Sequence, residues 1–360
     1  MLGYRNIIIY NFSGTGNALQ ASRWILEKAD QAGLNTQLIP IDRLKKIELP
    51  SNEGKTMIGF SSPTHGFSLP WIMLKFILRF PRGKGQDVFL LNTRAGMKLS
   101  KLFVPGLSGI AQLLPMLILF LKGYKMKGLL PIDLPSNWIS VHPGLRQKVI
   151  ASIFEKRKIE VNRFTNQIIT GKPYYGKKVF IFLLLDLLVS PIAIAYFVYG
   201  RFFLSKTFMA STDCNDCRLC EQKCPTESIT IINNRPYWRF TCESCMRCMN
   251  ICPQKSIQSS HSLAAIIIFI TSSIPAFLWL SEAVDQYTSS LGVYLKPIIL
   301  LPFKWGIKLS CFYLIYFVFF ALMRVKVINK FFELTSLTKF WRRYKAPGVT
   351  AADFPVPKTH

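Results

Sequence analysis

Asn6-Ile7-Ile8-Ile9-Tyr10-Asn11-Phe12-Ser13-Gly14-Thr15-Gly16-Asn17 decides the fold. Ile7 to Tyr10 is a short uninterrupted apolar run, as expected of a strand buried on both faces. Two hydroxyls and two glycines follow it, and Asn17–Ala32 then takes up a helical pattern. A strand feeding such a turn and a helix N-terminus makes an anion pocket, because backbone N–H groups, the helix dipole and the Ser and Thr hydroxyls converge on one phosphate. The turn is too short for a Walker loop and lacks its lysine, and it is not G-x-G-x-x-G.

Moving outward, short apolar runs continue to alternate with helical patterns. Strands are expected over Asn6–Asn11, Thr36–Ile41, Thr56–Ser61, Asp87–Asn92 and Lys125–Leu134. Helices are expected over Asn17–Ala32, Pro70–Phe80, a stretch near Leu99–Lys122, and Leu145–Thr170. This alternation reads as an α/β doubly wound parallel sheet, whose loops meet at the carboxyl ends of the strands. Two of those loops are Ser61-Ser62-Pro63-Thr64-His65-Gly66-Phe67 and Asn92-Thr93-Arg94-Ala95-Gly96.

With its three loops, this half of the chain resembles the flavodoxins. The resemblance implies FMN, with the phosphate on Ser13, Gly14, Thr15, Gly16 and Asn17. The isoalloxazine ring would lie against Pro63, Thr64, His65, Gly66 and Phe67 and against Asn92, Thr93, Arg94, Ala95 and Gly96. Two departures stand out. Ala18 occupies the place of a further phosphate-binding Thr, and the stacking pair is incomplete, with Phe67 or His65 the candidate for one face. Arg94 has two readings, a cation near the ring or a solvated surface residue.

Eight of nine cysteines lie between Cys214 and Cys252. Cys214, Cys217, Cys220 and Cys224-Pro225 form C-x2-C-x2-C-x3-C-P, and Cys242, Cys245, Cys248 and Cys252-Pro253 repeat it at an offset of 28 residues. Zinc favours two C-x-x-C pairs with a longer spacer, so the alternative of two zinc sites fits this run less well. The pattern is that of the bacterial ferredoxins, over roughly residues 211–260, and implies a small α+β domain with two 4Fe–4S clusters. There the fourth cysteine of each run serves the other cluster. Cys214, Cys217, Cys220 and Cys252 would hold one, and Cys242, Cys245, Cys248 and Cys224 the other. With both modules, the chain resembles the flavodoxin–ferredoxin fusion proteins of anaerobic bacteria, in a membrane-associated version. The Pro135-Ser136-Asn137-Trp138 turn is also familiar from them, with packing as its default role.

The chain has 360 residues, 45 Lys and Arg against 19 Asp and Glu, and a hydrophobic content of 50%. A net charge of +26 excludes an acidic, freely diffusing carrier, and the hydrophobic content argues against disorder and a nucleic-acid-binding tail. No signal peptide is evident, because the N-terminus opens on a strand, and cysteines in that setting point to metal rather than disulfides.

The expected units are 1–171, flavodoxin-like; 179–204, an apolar membrane-associated segment; 211–260, ferredoxin-like; 263–323, a transmembrane hairpin; and 324–360, a basic cytoplasmic tail whose last part from Ala346 is loosely ordered. Leu263–Leu280 and Ile307–Met323 approach the length of a membrane span. Arg324–Lys345 carries seven Lys and Arg and one acid, which places it on the cytoplasmic side of the inner membrane. Asp186 and Pro191 interrupt Val179–Gly200, read as a segment bent along or into one leaflet, with a single crossing as the other possibility. Leu102–Leu121, uncharged but holding Pro105 and Pro115, reads as a crossover helix on the sheet or a face on lipid. Residues 1–178 hold 26 Lys and Arg and 9 Asp and Glu, which suits docking to anionic headgroups.

The leading expectation is a membrane-attached protein that passes electrons between FMN and two 4Fe–4S clusters, facing an unidentified donor and acceptor in the cytoplasm. A reductase of a quinone or other small acceptor, with a pocket drawn from Leu102–Leu121, is the second reading, and a redox sensor or scaffold the third. No catalytic residue is nominated, and no nicotinamide-binding glycine motif is present.

Overall fold

The computed structural model describes residues 2–44, 47, 54–99, 102–273, 282, 286 and 295–356. Its first unit is built on β1 (Asn6–Asn11), β2 (Asn35–Pro40), β3 (Thr56–Pro63), β4 (Asp87–Leu99), β5 (Leu102–Val104), β6 (Lys125–Pro135) and β7 (Tyr174–Tyr175). Strand order is β2-β1-β3-β4-β6-β7, every pair parallel, with β5 attached antiparallel to β4. The order over the first five of these parallel strands is that of the flavodoxin-like doubly wound fold.

Alternation along each strand sorts the core into two layers. Ile7, Ile9, Phe89 and Leu91 face α1 (Asn17–Gln31) and α4 (Gln147–Ile168), packing with Trp24, Phe154 and Phe164. Tyr10, Ile58, Phe60, Val88 and Leu90 face α2 (Trp71–Arg79) and α3 (Leu113–Leu121), among Phe76, Phe80 and Leu119. A sheet apolar on both faces must be covered on both, which is why its strands read as continuous apolar runs. Gly59 makes room for this packing: a Cβ there would lie 2.2 Å from the Phe89 ring.

The helix expected near Leu99–Lys122 is a correction. β4 runs on to Leu99 and turns into β5, and only Leu113–Leu121 is α-helical after a 3-10 turn at Gly109–Ala111. Pro105 lacks an N–H to extend either element. The next segment is bent into short helices, Lys177–Ile181, Leu183–Leu188, Ser190–Ala195 and Arg201–Ser205, with a π turn at Tyr196–Gly200. Asp186 is buried and accepts hydrogen bonds from the Ser108 N–H (2.7 Å) and the Gly109 N–H (2.8 Å), fastening the segment to the loop before α3. Its other face exposes Phe180, Leu184, Leu188, Ile192 and Ile194.

The cysteine-rich unit holds two antiparallel pairs: β8 (Phe208–Ala210) with β11 (Ile257–Ser259), and β9 (Ile229–Ile232) with β10 (Arg235–Trp238). Asn233 and Asn234, both left-handed, close the β9–β10 hairpin, as a two-residue loop requires. Helices follow at His261–Ser273 and Leu295–Leu322. Among the described residues, one stretch, Pro302–Leu322, is long and apolar enough to cross a membrane. Its Phe312, Tyr316 and Phe319 are buried, and the Tyr316 hydroxyl lies 3.3 Å from the Phe208 carbonyl it donates to, so one face packs on the cysteine unit. Residues 274–281 and the turn expected near 282–290 lie outside the described residues, 282 and 286 apart.

The tail is a second correction. From Tyr344 to Phe354 it is packed rather than loose, with Tyr344, Ala346, Val349 and Phe354 all buried.

Candidate functional site: a sheet-end cleft against two cysteine sets

The turn after β1 is shaped by its own groups. Gly16 is left-handed at φ 104° and starts α1, and its N–H donates to the Ser13 Oγ at 3.1 Å. The Thr15 Oγ1 accepts from the Asn137 side chain at 2.9 Å. Both hydroxyl oxygens therefore act as acceptors, which leaves each O–H as a donor for an incoming anion. Asn17 behaves differently. Its amide donates to the Pro135 carbonyl (2.8 Å) and its oxygen accepts from the Tyr344 hydroxyl (2.5 Å), so it ties the turn to β6 and to the tail. Ala18 is fully buried, and its carbonyl accepts from Ser22 and Ser61.

Beside this turn, at the carboxyl ends of the strands, lies a cleft with about 780 Å3 of open space counted to its mouth. Pro63, Thr64, His65, Gly66 and Phe67 form one wall, and Thr93, Arg94 and Ala95 another. Asn92 lies behind them and donates to the Thr64 hydroxyl at 2.8 Å, joining the two loops, while Gly96 stands beside Asp133, where a Cβ would come within 2.8 Å. Neither Asn92 nor Gly96 lines the cleft. Ser13, Gly14, Thr15 and Gly16 border it only through Asn17.

The electrostatics of the wall depend on burial. His65 is buried and its Nδ1 has no partner; desolvation holds its pKa down to about 4, so the ring is neutral near pH 7. Arg94 is not the solvated surface residue of the second reading. Its side chain is buried, with Nε 2.7 Å from the Asp133 carboxylate and Nη1 3.4 Å from Ser108, and its Nη2 has no partner. Asp133 also meets Lys178 at 2.6 Å and Arg157 at 3.8 Å; against the opposing effect of burial, Arg94 and Lys178 hold its carboxyl below the usual range. Residues not nominated from the sequence also line the cleft, among them Asn137, Trp138 and Tyr196. The Trp138 and Tyr196 rings meet edge to face at 6.1 Å. Trp138 had a signal in its turn motif, whereas Tyr196 comes from the bent apolar segment and had none.

The cysteine unit carries its repeat in the backbone as well as in its ligand spacing. Left-handed residues recur at the same offset as the cysteines: Asp216 with Ser244, Arg218 with Met246, and Glu227 with Lys255. Non-glycine residues rarely adopt this conformation, and it curls the chain between the thiols so that amides turn toward sulfur. The Ser228 N–H lies 3.2 Å from the Cys224 sulfur, and the Ser244 N–H 3.4 Å from that of Cys242.

The thiols fall into two groups. The Cys220 thiol is pushed up to about 12, first by burial and then by Cys214, Cys252 and Cys217. The Cys242 thiol is raised by burial and then by Cys224 and Cys245, and Cys245 stands at about 11 from burial, with Cys224 adding to it. Cys214, Cys217, Cys220 and Cys252 also line one small cavity. Among the described residues, no three His, Cys, Asp or Glu side chains close on a point as the ligands of a single ion do. Cys311 lies apart, on the Leu295–Leu322 helix.

The two units meet at the turn after β1. A Cβ on Gly14 would lie 2.2 Å from the Cys245 carbonyl, so only glycine permits this approach. Ser244 lines the cleft. Arg247 is buried, paired with Asp42 at 2.9 Å and donating to the Ser13 carbonyl at 2.8 Å.

No protein-family model and no curated protein sequence matches the chain. Among solved structures, it is similar to rubredoxin oxygen:oxidoreductase from Desulfovibrio gigas, at 12% identity and a TM-score of 0.29 over 45% of this chain and 35% of that one. It is also similar to a flavodoxin from the domain Archaea (14%, TM-score 0.28, 45% and 98% covered) and to the azoreductase AzrA (13%, 0.28, 44% and 99%). The chain thus spans about a third of the length of the rubredoxin oxygen:oxidoreductase, and the flavodoxin-like fold rests on its own strand order.

Proposed function

We propose that the chain is a membrane-attached electron-transfer protein that exchanges electrons between an FMN in the sheet-end cleft and two 4Fe–4S clusters on the eight cysteines. The observation that carries this reading is the contact between the two units: the turn that would take the phosphate lies on the Cys245 carbonyl, and Ser244 of the same cysteine run lines the cleft. A cofactor in the cleft and a centre on those thiols would be neighbours through one short loop.

The residues fit the flavin. The Ser13 and Thr15 hydroxyls keep their protons for a phosphate, and the first turn of α1 supplies amides. The unpartnered Arg94 Nη2 and His65 Nδ1 suit the polar edge of the ring, with Trp138, Tyr196 and Phe67 beside it. Bound FMN would convert between one- and two-electron steps. Arg94, already neutralised by Asp133, orients a donor without adding an uncompensated charge.

Cys214, Cys217, Cys220 and Cys252 would hold the outer cluster, and Cys224, Cys242, Cys245 and Cys248 the inner one. The exchange is supported by Cys252, which lines one cavity with Cys214, Cys217 and Cys220 of the other run. Attachment to the cytoplasmic face of the inner membrane is supported by the exposed Phe180, Leu184, Leu188 and Ile192, by the apolar Pro302–Leu322 helix and by the net charge of +26.

Iron, sulfide and flavin are to be measured in one anaerobic preparation. About eight iron, eight sulfide and one FMN per chain are expected. Zinc in place of iron sinks the proposal; iron without flavin reduces it to a membrane ferredoxin.

A further inference from the structure

A second opening lies against the inner cysteine set. It holds about 1010 Å3 of open space counted to its mouth, and Trp71, Lys75, Arg201, Phe202, Phe240 and Thr241 line it. Pro225 and Thr226, which follow Cys224 directly, and Thr241, which precedes Cys242, place two inner thiols behind its wall. It is not the pocket expected from Leu102–Leu121; Leu107 of that segment lines the sheet-end cleft instead.

Three features of this groove point in one direction. Its sides are aromatic: the Phe202 and Phe240 rings meet at 6.0 Å, and Trp71 stands opposite the Arg201 guanidinium at 5.0 Å. Beside them are two cations, Lys75 and Arg201, against one carboxylate on the lining, Glu227. Glu243, buried behind the wall, accepts the Trp71 N–H at 3.0 Å and fixes the start of α2 as a positioning residue. Finally, the aromatic side continues onto the apolar helix, where Phe202 packs on Trp305 at 6.3 Å and Phe240 on Tyr313 at 5.7 Å. That helix exposes Phe303, Leu314 and Phe317.

We infer that the groove binds the head of a lipid-soluble quinone, with its apolar tail along the Leu295–Leu322 helix. Flat walls select a planar ring. Cations beside them suit ring oxygens that gain negative charge, and the exposed apolar helix suits a hydrocarbon tail, for which a water-soluble aromatic acid has no use. The chemistry rests on the cluster reading above. The quinone would take two electrons, one at a time, from the cluster that the inner cysteines would hold, and two protons from water at the open mouth. Both C=O groups become C–OH and the ring becomes aromatic. The electrons derive from a low-potential reductant, dithionite in the assay.

The test uses detergent-solubilised holoprotein and the fluorescent quinone analogue 2-heptyl-4-hydroxyquinoline N-oxide, whose quenching on binding is titrated. Binding is expected in the wild type and at least tenfold weaker in Lys75→Gln/Arg201→Gln, with iron content unchanged. Reoxidation of the dithionite-reduced protein by menadione is expected to slow in parallel. Ile72→Trp narrows the groove without removing a charge; it is expected to weaken binding likewise and stands in if the double variant loses iron. No binding by iron-replete wild type, or unaltered binding in both variants, overturns the groove. Iron-free wild type that binds the probe overturns the cluster reading and the reduction step with it.

Discussion

The two cysteine runs share one ligand spacing and sit in opposite surroundings. In the outer run Cys217 is exposed, and Asn215 and Arg218 between the thiols face solvent. In the inner run Cys245 and Cys248 are buried, and the residues at the same repeat positions, Glu243 and Met246, are buried too. Leu219 of the outer run corresponds to Arg247 of the inner one, which reaches Asp42 and the Ser13 carbonyl. The ligands follow one pattern, then, while the residues between them decide which half faces solvent and which docks on the sheet.

Giving the inner run the outer residue should break this difference. Arg247→Leu removes its bonds to Asp42 and to the Ser13 and Lys223 carbonyls, at a cost of about 3 kcal/mol. The reciprocal Leu219→Arg, on a half-exposed helix, should cost less than about 1 kcal/mol. Urea unfolding of both variants checks the contrast. Equal midpoints would mean that the Arg247 pair does not hold the units together.

The tail touches the inner half and the turn after β1 at once. The Tyr344 N–H donates to the Asn250 side chain at 2.7 Å, and its hydroxyl donates to Asn17. Tyr344→Phe strands the buried Asn17 oxygen, for an expected loss of about 1–3 kcal/mol. Thermal unfolding reads it, and a parallel weakening of flavin retention would place the tail over the proposed phosphate site.

These contacts mark where the sequence was legible and where it was not. β1 and its turn were readable because a continuous apolar strand, two glycines and a helix start lie in one short stretch. Cysteine spacing was readable for the same local reason. Leu102–Leu121 was misread because an uncharged run offers no period to separate strand from helix, and the extension of β4 into β5 is set by pairing rather than by composition. Arg94 kept two readings, near the ring or on the surface, because its partner Asp133 is distant in sequence. Small residues such as Ala346 and Val349 suggested a loose end; in the fold they sit against Gly16, where an added Cβ would meet them at 2.9 Å.

Lys206 sharpens the comparison from the other side. It is fully buried, with its Nζ 4.3 Å from the Phe240 ring centre and 4.5 Å from that of Tyr316, and burial lowers its pKa to about 8 even though Cys242 favours the charged form. On the proposed assignment, Lys206→Met withdraws a positive charge from the inner centre alone. Its reduction potential should fall by about 59 mV, equivalent to about 1.4 kcal/mol for one electron, with the outer potential unmoved. Equal shifts in an EPR-monitored titration would contradict the separation of the two sets.

The smallest expected effect is at the far end of the tail. Asp353 pairs with Arg23 of α1 and accepts from the Thr350 N–H at 2.7 Å, and these contacts hold its carboxyl down to about 2. A carboxyl depressed by folding stabilises the native state above its unfolded pKa, near 3.8, and that contribution disappears as the pH falls through about 2. Because the side chains of Arg23 and Asp353 are 37% and 21% exposed, solvent limits the gain to below about 1 kcal/mol. Asp353→Asn should therefore be slightly less stable than wild type at pH 7, and the two should converge between about pH 4 and pH 2. A gap that persists below pH 2 would assign the contribution of Asp353 to its hydrogen bonds with Thr350 rather than to this ion pair.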